Sequence, residues 1–332
     1  MRFGMPLSMA LIVAATAASA PAQQGEAPAP LVTRPDQDWA SAAEGLSAPL
    51  APAASFEEQL VELVNVERLN CGVGEGCPKP PLKHQANLIV AAEEHSSSMA
   101  LNDYVSHLDF AVSCIGVGTR MNNAGYTGWT AGGENIAAGQ SSPANVMASW
   151  MGSSGHRSNI LSSSYREIGA GYLNQGGDQS TVDVDANTDC DCLDAGFGET
   201  CSGGPFVHYW TQVFGARGGT TGYPVIIERE KFAIASPAAD LYLYQPPGTG
   251  AQMSFANETG GFTAPQAFST AVADWNLTPG DGLKTVIAVV TTSSGTFRTC
   301  DRIWLSGSGD TSFVFADGFE CDGVGAWTAV GF

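Results

Sequence analysis

The spacing of apolar residues changes character partway along this chain, and the change rules out a single layer architecture. Between residues 56 and 103 apolar side chains recur at helical intervals: Phe56, Leu60, Leu63, Val64 and Leu69, then Leu88, Ala92 and Met99. From Tyr223 onward the pattern shortens to alternating segments, YPVIIE, DLYLY, STAVADW, KTVIAVVTT and DRIWLSG. Turns divide them, among them Thr278-Pro279-Gly280-Asp281-Gly282. A period of 3.6 buries one stripe of a helix and a period of 2 buries one face of a sheet. The sequence therefore predicts an α+β unit followed by an all-β one, and 332 residues suffice for both plus terminal segments.

The N-terminus reads as an export signal. Arg2 precedes a nearly unbroken apolar or small stretch from Met5 to Ala20, and Ala20-Pro21-Ala22 presents a small-x-small cleavage site. That stretch is shorter than the ~20 residues a spanning helix needs, so residues 1–22 are expected to be a signal peptide. No transmembrane segment is expected after cleavage. Residues 23–54 are rich in Ala, Pro, Gln and Ser, bury too little to fold, and read as a disordered leader. Order is expected from Ser55, where Ser-Phe-Glu-Glu forms a capping box. Further helices are expected over 84–103 and from Ser142 or Pro143 to Met151.

In an oxidising compartment the eight cysteines, Cys71, Cys77, Cys114, Cys190, Cys192, Cys201, Cys300 and Cys321, are expected in disulfides. Roughly a hundred pairings are open. Cys71–Cys77 closes a short Gly-rich loop, Cys300–Cys321 joins two C-terminal residues, and Cys114 is left to the Cys190, Cys192 and Cys201 cluster. A net charge of −19 with no basic stripe excludes a nucleic-acid partner and disfavours an anionic membrane surface.

Ordered motifs carry the functional reading of the first unit. Asn65-x-x-Arg68 lies in the first helix and HSSSMA (95–100) in the second. Ser106-His107, GGENIAAG (132–139), WMGSSGHRSNIL (150–161), IGAGY (168–172) and YWTQVFG (209–215) follow. In order and spacing they resemble the bacterial branch of the CAP superfamily, the cysteine-rich secretory, antigen 5 and pathogenesis-related proteins. The resemblance covers roughly residues 55–217. It implies an α-β-α sandwich with a polar cavity, lined in many members by two His and two acidic residues. His107 and Glu134 match the first His and the Glu. The second acidic position falls on Ser153 and the usual second His on Tyr209, while His156 stands in the GHR segment. The expected cavity is therefore His107, Glu134, His156 and Tyr209.

Two imidazoles and a carboxylate suit a divalent metal, zinc first, and they also suit general acid/base work. The competing reading is a hydrogen-bonded network that pins helices to the sheet. His95, on the apolar face of its helix, reads as a core histidine. In the insertion after residue 174, Asp183, Asp185, Asn187, Asp189 and Asp194 alternate like the oxygen ligands of a calcium loop. Thr188 replaces its turn Gly and Asp194 its bidentate Glu, so a solvated acidic loop is the preferred alternative. No organic cofactor is expected.

Residues 223–309 resemble the immunoglobulin-like modules of bacterial secreted proteins, with Trp275-x-Leu277 before the Gly-Asp-Gly turn and then Lys-Thr-Val. That implies a β-sandwich that spaces or presents its neighbour. Residues 310–332 form a Gly- and aromatic-rich tail, whose Phe315-Ala316-Asp317-Gly318-Phe319-Glu320 resembles the endings of many secreted bacterial proteins. The expected protein is secreted or cell-surface associated, and non-enzymatic. It takes a small ligand, a lipid or an envelope component in the cavity. A metal-dependent hydrolase using the same cavity and a structural envelope role are the alternatives.

Overall fold

The computed structural model describes residues 54–72, 74–185, 200–219 and 222–307. The signal, nearly all of the leader, the tail, Asn187, Asp189, Cys190, Cys192, Asp194 and Cys321 lie outside the described residues.

Helix α1 (Phe56–Asn70) begins where the capping box places it. Ser55 Oγ accepts from the Glu58 N–H at 3.1 Å and the Glu58 carboxylate accepts from the Ser55 N–H at 2.7 Å. Strand β1 is Lys83–His84 and α2 is Ala86–Leu101. The expected helix over 84–103 is thus shorter at both ends. Lys83 and His84 pair in parallel with Glu167 and Ile168, Gln85 caps the helix, and Asp103 adopts a left-handed φ of 53°. Next come β2 (Tyr104–Val105), α3 (Val117–Asn123) and β3 (Trp129–Ala138). Helix α4 (Pro143–Gly152) takes the expected third position, with Pro143 in its first turn and Ser142 as cap. Helix α5 (Ser154–Leu161) is an addition, as is α3. Strands β4 (Glu167–Asn174), β5 (Val182–Val184), β6 (Thr200–Gly203) and β7 (His208–Arg217) complete the unit.

The central sheet runs β1-β4-β7-β3, leaving β3 at an edge. Its faces are covered by different helices, as the alternation along β7 requires. Trp210 and Phe214 join Leu60, Val64, Val146, Trp150 and Ile160 of α1, α4 and α5. Val213 meets Leu88, Ala91, Ala92 and Met121 of α2 and α3. Helix α2 lies so close to β4 that a Cβ on Gly169 would sit 2.0 Å from the backbone carbon of Leu88. One on Gly171 would sit 2.3 Å from that of Ala92. The IGAGY glycines are there for this backbone approach.

The second unit holds β8 (Val225–Ile227), β9 (Ala233–Ile234), β10 (Ala238–Leu243), β11 (Gln252–Asn257), β12 (Gln266–Ala267), β13 (Ala271–Asn276), β14 (Gly282–Thr292) and β15 (Gly295–Leu305). One sheet is β13-β10-β8 and the other β12-β11-β14-β15-β9. A single core joins them: Leu241 and Val225 from one, Phe255, Val286, Ala288, Val290 and Ile303 from the other, with Leu277 between. Cys71 and Cys77 are bonded to each other, and Cys114 and Cys300 are also in disulfides. Among the described residues no cysteine is free, and no helix is long and apolar enough to cross a membrane.

Candidate functional site

Glu134 lies in the middle of β3, only 1% exposed. A buried carboxylate needs partners, and this one has two of them. Its Oε2 takes the Arg120 guanidinium of α3, and its Oε1 lies 2.8 Å from His107 Nδ1. Burial pushes the Glu134 pKa up, but Arg120, then His95 and His107, outweigh it and hold the carboxyl well below its ordinary range. The group is ionised, so His107 Nδ1 carries a proton and donates it to Glu134. In the neutral ring Nε2 is then an acceptor. It is buried and has no hydrogen-bond partner among the described residues.

The surroundings fix that imidazole. Arg120 Nη1 donates to His107 O at 3.2 Å and to Ile115 O at 2.9 Å. Ser106 Oγ donates to Asp185 Oδ2 at 2.8 Å and accepts from the Leu108 N–H at 2.9 Å, bracing the backbone on both sides of His107. Helix α5 reaches the edge of β3 from the other face. Asn135 Nδ2 donates to His156 O at 3.2 Å, and Asn159 Nδ2 donates to Glu134 O at 3.0 Å and Asn135 Oδ1 at 2.9 Å. His156 is 5% exposed, and its pKa falls to about 4 through burial and then the charge of His107. Ser153, the N-cap of α5, is buried with its Oγ unpartnered among the described residues.

The structure thus ties His107 to Glu134, sets His156 within electrostatic reach of His107, and leaves Tyr209 elsewhere. Tyr209 shares a sheet face with Glu134, but it pairs with Ala138, four residues along, or ~13 Å at strand rise. Its hydroxyl donates to Asp178 at 3.0 Å, and its ring packs with Met99, Tyr104 and Ile136. His95 is fully buried, as a core residue should be, and bonds Ser106 O at 2.8 Å. It also lies close enough to Glu134 to be felt by it. Arg120 is the site residue that sequence reasoning misses, because no motif marks it. Asp183 lies within β5 and Asp185 serves Ser106, so the first two members of the acidic alternation sit in or beside a strand paired with β2.

As a metal site the donor set differs from the expected one. Glu134 spends both oxygens on Arg120 and His107 and does not fit as a third ligand. Among the described residues no group of three or more His, Cys, Asp or Glu suits an ion.

Residues 61–214 match the family model described as CAP, the cysteine-rich secretory protein family. The chain carries a CAP domain. It is similar to a protein of Bacillus subtilis (strain 168) named "Uncharacterized protein YkwD", with 35% identity over 130 residues. That match covers 39% of this chain and 47% of the relative, so the chain spans about half the length of the curated protein it resembles. Among solved structures, an extracellular SCP-domain protein from Bacillus anthracis str. Ames matches at 23% identity and a TM-score of 0.34, over 51% of this chain and 44% of that one. An outer surface protein from Borrelia burgdorferi matches at 16% identity and a TM-score of 0.32, over 48% of this chain and 87% of that one.

Proposed function

We propose that the protein is a secreted or surface-held, non-enzymatic binding protein whose CAP-domain cavity takes a small ligand at His107. The observation that supports this is the unpartnered Nε2: a buried imidazole nitrogen, oriented by an ionised carboxylate and lacking a hydrogen-bond partner among the described residues. A ligand hydroxyl or N–H would supply the donor it lacks. Catalysis by a serine nucleophile is disfavoured, because Ser106 Oγ is engaged by Asp185 and Leu108, and among the described residues no hydroxyl or thiol bonds His107. Disulfides at Cys71–Cys77, Cys114 and Cys300 support export. The two-sheet unit is read as an immunoglobulin-like module that presents the CAP domain at the envelope.

A second reading rests on the same nitrogen: His107 and His156 would hold a zinc ion, with Glu134 behind His107. A ligand and metal inventory of protein purified from its native secretion, repeated on folded His107→Ala and His156→Ala, tests both. A bound organic compound lost from His107→Ala supports the first reading. One equivalent of zinc lost from both variants supports the second. Inventories unchanged by either substitution overturn both. Peptide cleavage by the wild type that Glu134→Ala abolishes would instead point to the hydrolase.

A further inference from the structure

The two units are joined by a polar junction rather than by a free tether. Asn65 Nδ2, in α1, donates to Arg229 O at 2.9 Å, and Arg229 Nη2 donates to Lys79 O at 2.8 Å. The Tyr244 hydroxyl donates to Pro81 O at 2.9 Å, and the Phe232 N–H donates to Glu62 Oε1 at 2.5 Å. At the centre, Lys83 of β1 meets two carboxylates of the all-β unit. Its Nζ contacts Asp301 Oδ1 and lies 3.1 Å from Glu230 Oε1.

The charges in this junction do not balance. Asp301 is 2% exposed at its side chain and accepts from the Ile227 N–H at 2.6 Å and the Arg302 N–H at 2.7 Å as well as contacting Lys83, so both of its oxygens are engaged. Glu230, 10% exposed, is then a second carboxylate facing one lysine. From β1 it faces Lys83 and His84, from β15 Asp301, and its own turn contributes Glu228, Arg229 and Lys231. Glu228 is paired with Lys231 at 2.8 Å, and Arg229 is turned to Lys79 O and the Tyr242 ring. His84 offers no positive charge, since burial and then Lys83 lower its pKa to about 3. Within the central cluster of Lys83, Asp301 and Glu230, two carboxyls face one base out of water, and the three balance when one carboxyl keeps a proton.

We infer that the junction is a latch set by one proton: Glu230 closes it as the neutral acid, and alkaline conditions weaken the hold between the two units. Burial and then Asp301 raise the Glu230 pKa to about 8, against the pull of Lys83. The sign follows from the raised value. Stability from this group is complete below the ordinary carboxylate pKa and is lost as pH rises to about 8, each unit raising the unfolding constant about tenfold.

Denaturant unfolding of the full chain between pH 5 and 9 tests it, comparing wild type with Glu230→Gln and Asp301→Asn. Either substitution removes the surplus carboxylate, so the wild-type unfolding constant should climb about tenfold per pH unit relative to each variant up to about pH 8. Parallel pH profiles for wild type and a folded variant overturn the inference. Should neither variant fold, infrared titration of the wild type decides, since the protonated-carboxyl band of Glu230 should vanish between about pH 7.5 and 9. A spectrum with no such loss overturns it too.

Discussion

Replacing Arg120 by methionine tests whether the buried cluster around Glu134 is held by charge or merely filled. Arg120 and Glu134 are 3% and 1% exposed at their side chains, so their ion pair has little water to fall back on. Removing one member of a buried pair typically costs about 3–5 kcal/mol, because the survivor keeps its desolvation penalty. Glu134 retains the 2.8 Å bond from His107, which places the expected loss near the lower end, about 3 kcal/mol. The pH response gives an independent sign. In the wild type the Glu134 pKa is depressed, so its contribution is present above the ordinary carboxylate value and lost only as pH falls through the depressed one. Arg120 is its strongest lowering influence, so Arg120→Met should bring the acid loss to a higher pH. Urea unfolding of the two single variants, Arg120→Met and Glu134→Gln, and of the double variant closes the cycle. The double should cost at least about 1.5 kcal/mol less than the sum of the singles. A loss under about 1 kcal/mol for Arg120→Met, or strict additivity, would refute the claim that this pair orients His107.

Gly169→Ala and Gly171→Ala each drive a methyl into the α2 backbone, at 2.0 and 2.3 Å. Each should cost about 3 kcal/mol in urea unfolding, and a loss below about 1 kcal/mol would show that α2 rides more loosely on β4. Ser55→Ala removes one half of the α1 capping box and should cost about 1 kcal/mol, with amide exchange rising first in residues 56–59. Acid should also destabilise through His84 and His95, whose pKa values are lowered by burial to about 3 and about 4. A histidine with a lowered folded pKa contributes stability above about pH 6.5 that is lost as pH falls toward the folded value. A His95→Gln variant that folds should therefore take up about one proton fewer on unfolding at pH 5, and unchanged uptake would contradict the burial argument.

The parts of the fold that could be read from the chain were those written at short range. The Ser55 capping box, the Pro143 start of α4 and the turn before β14 each depend on residues a few positions apart, and each formed where expected. At the site, the His107 ring bonds Glu134 of β3, and the backbone carbonyl of His156 accepts from Asn135 next to it. Their roles were not readable, because roles depend on partners that only the folded chain supplies. Arg120 takes one oxygen of Glu134 while His107 takes the other, and it comes from a seven-residue helix with no pattern to announce it. Tyr209 matched a motif position, yet strand register carries its hydroxyl to Asp178, well along the sheet from Glu134. Asp185 resembled a calcium oxygen in a polar insertion, but it is buried and serves Ser106, which lies 79 positions earlier. Lys83 and Asp301 are 218 positions apart, beyond any local pattern. The same dependence explains why the His107 ring can be described with such definition. Because the guanidinium keeps Glu134 ionised, the proton on Nδ1 is committed, and the only atom of that imidazole left for a ligand is Nε2.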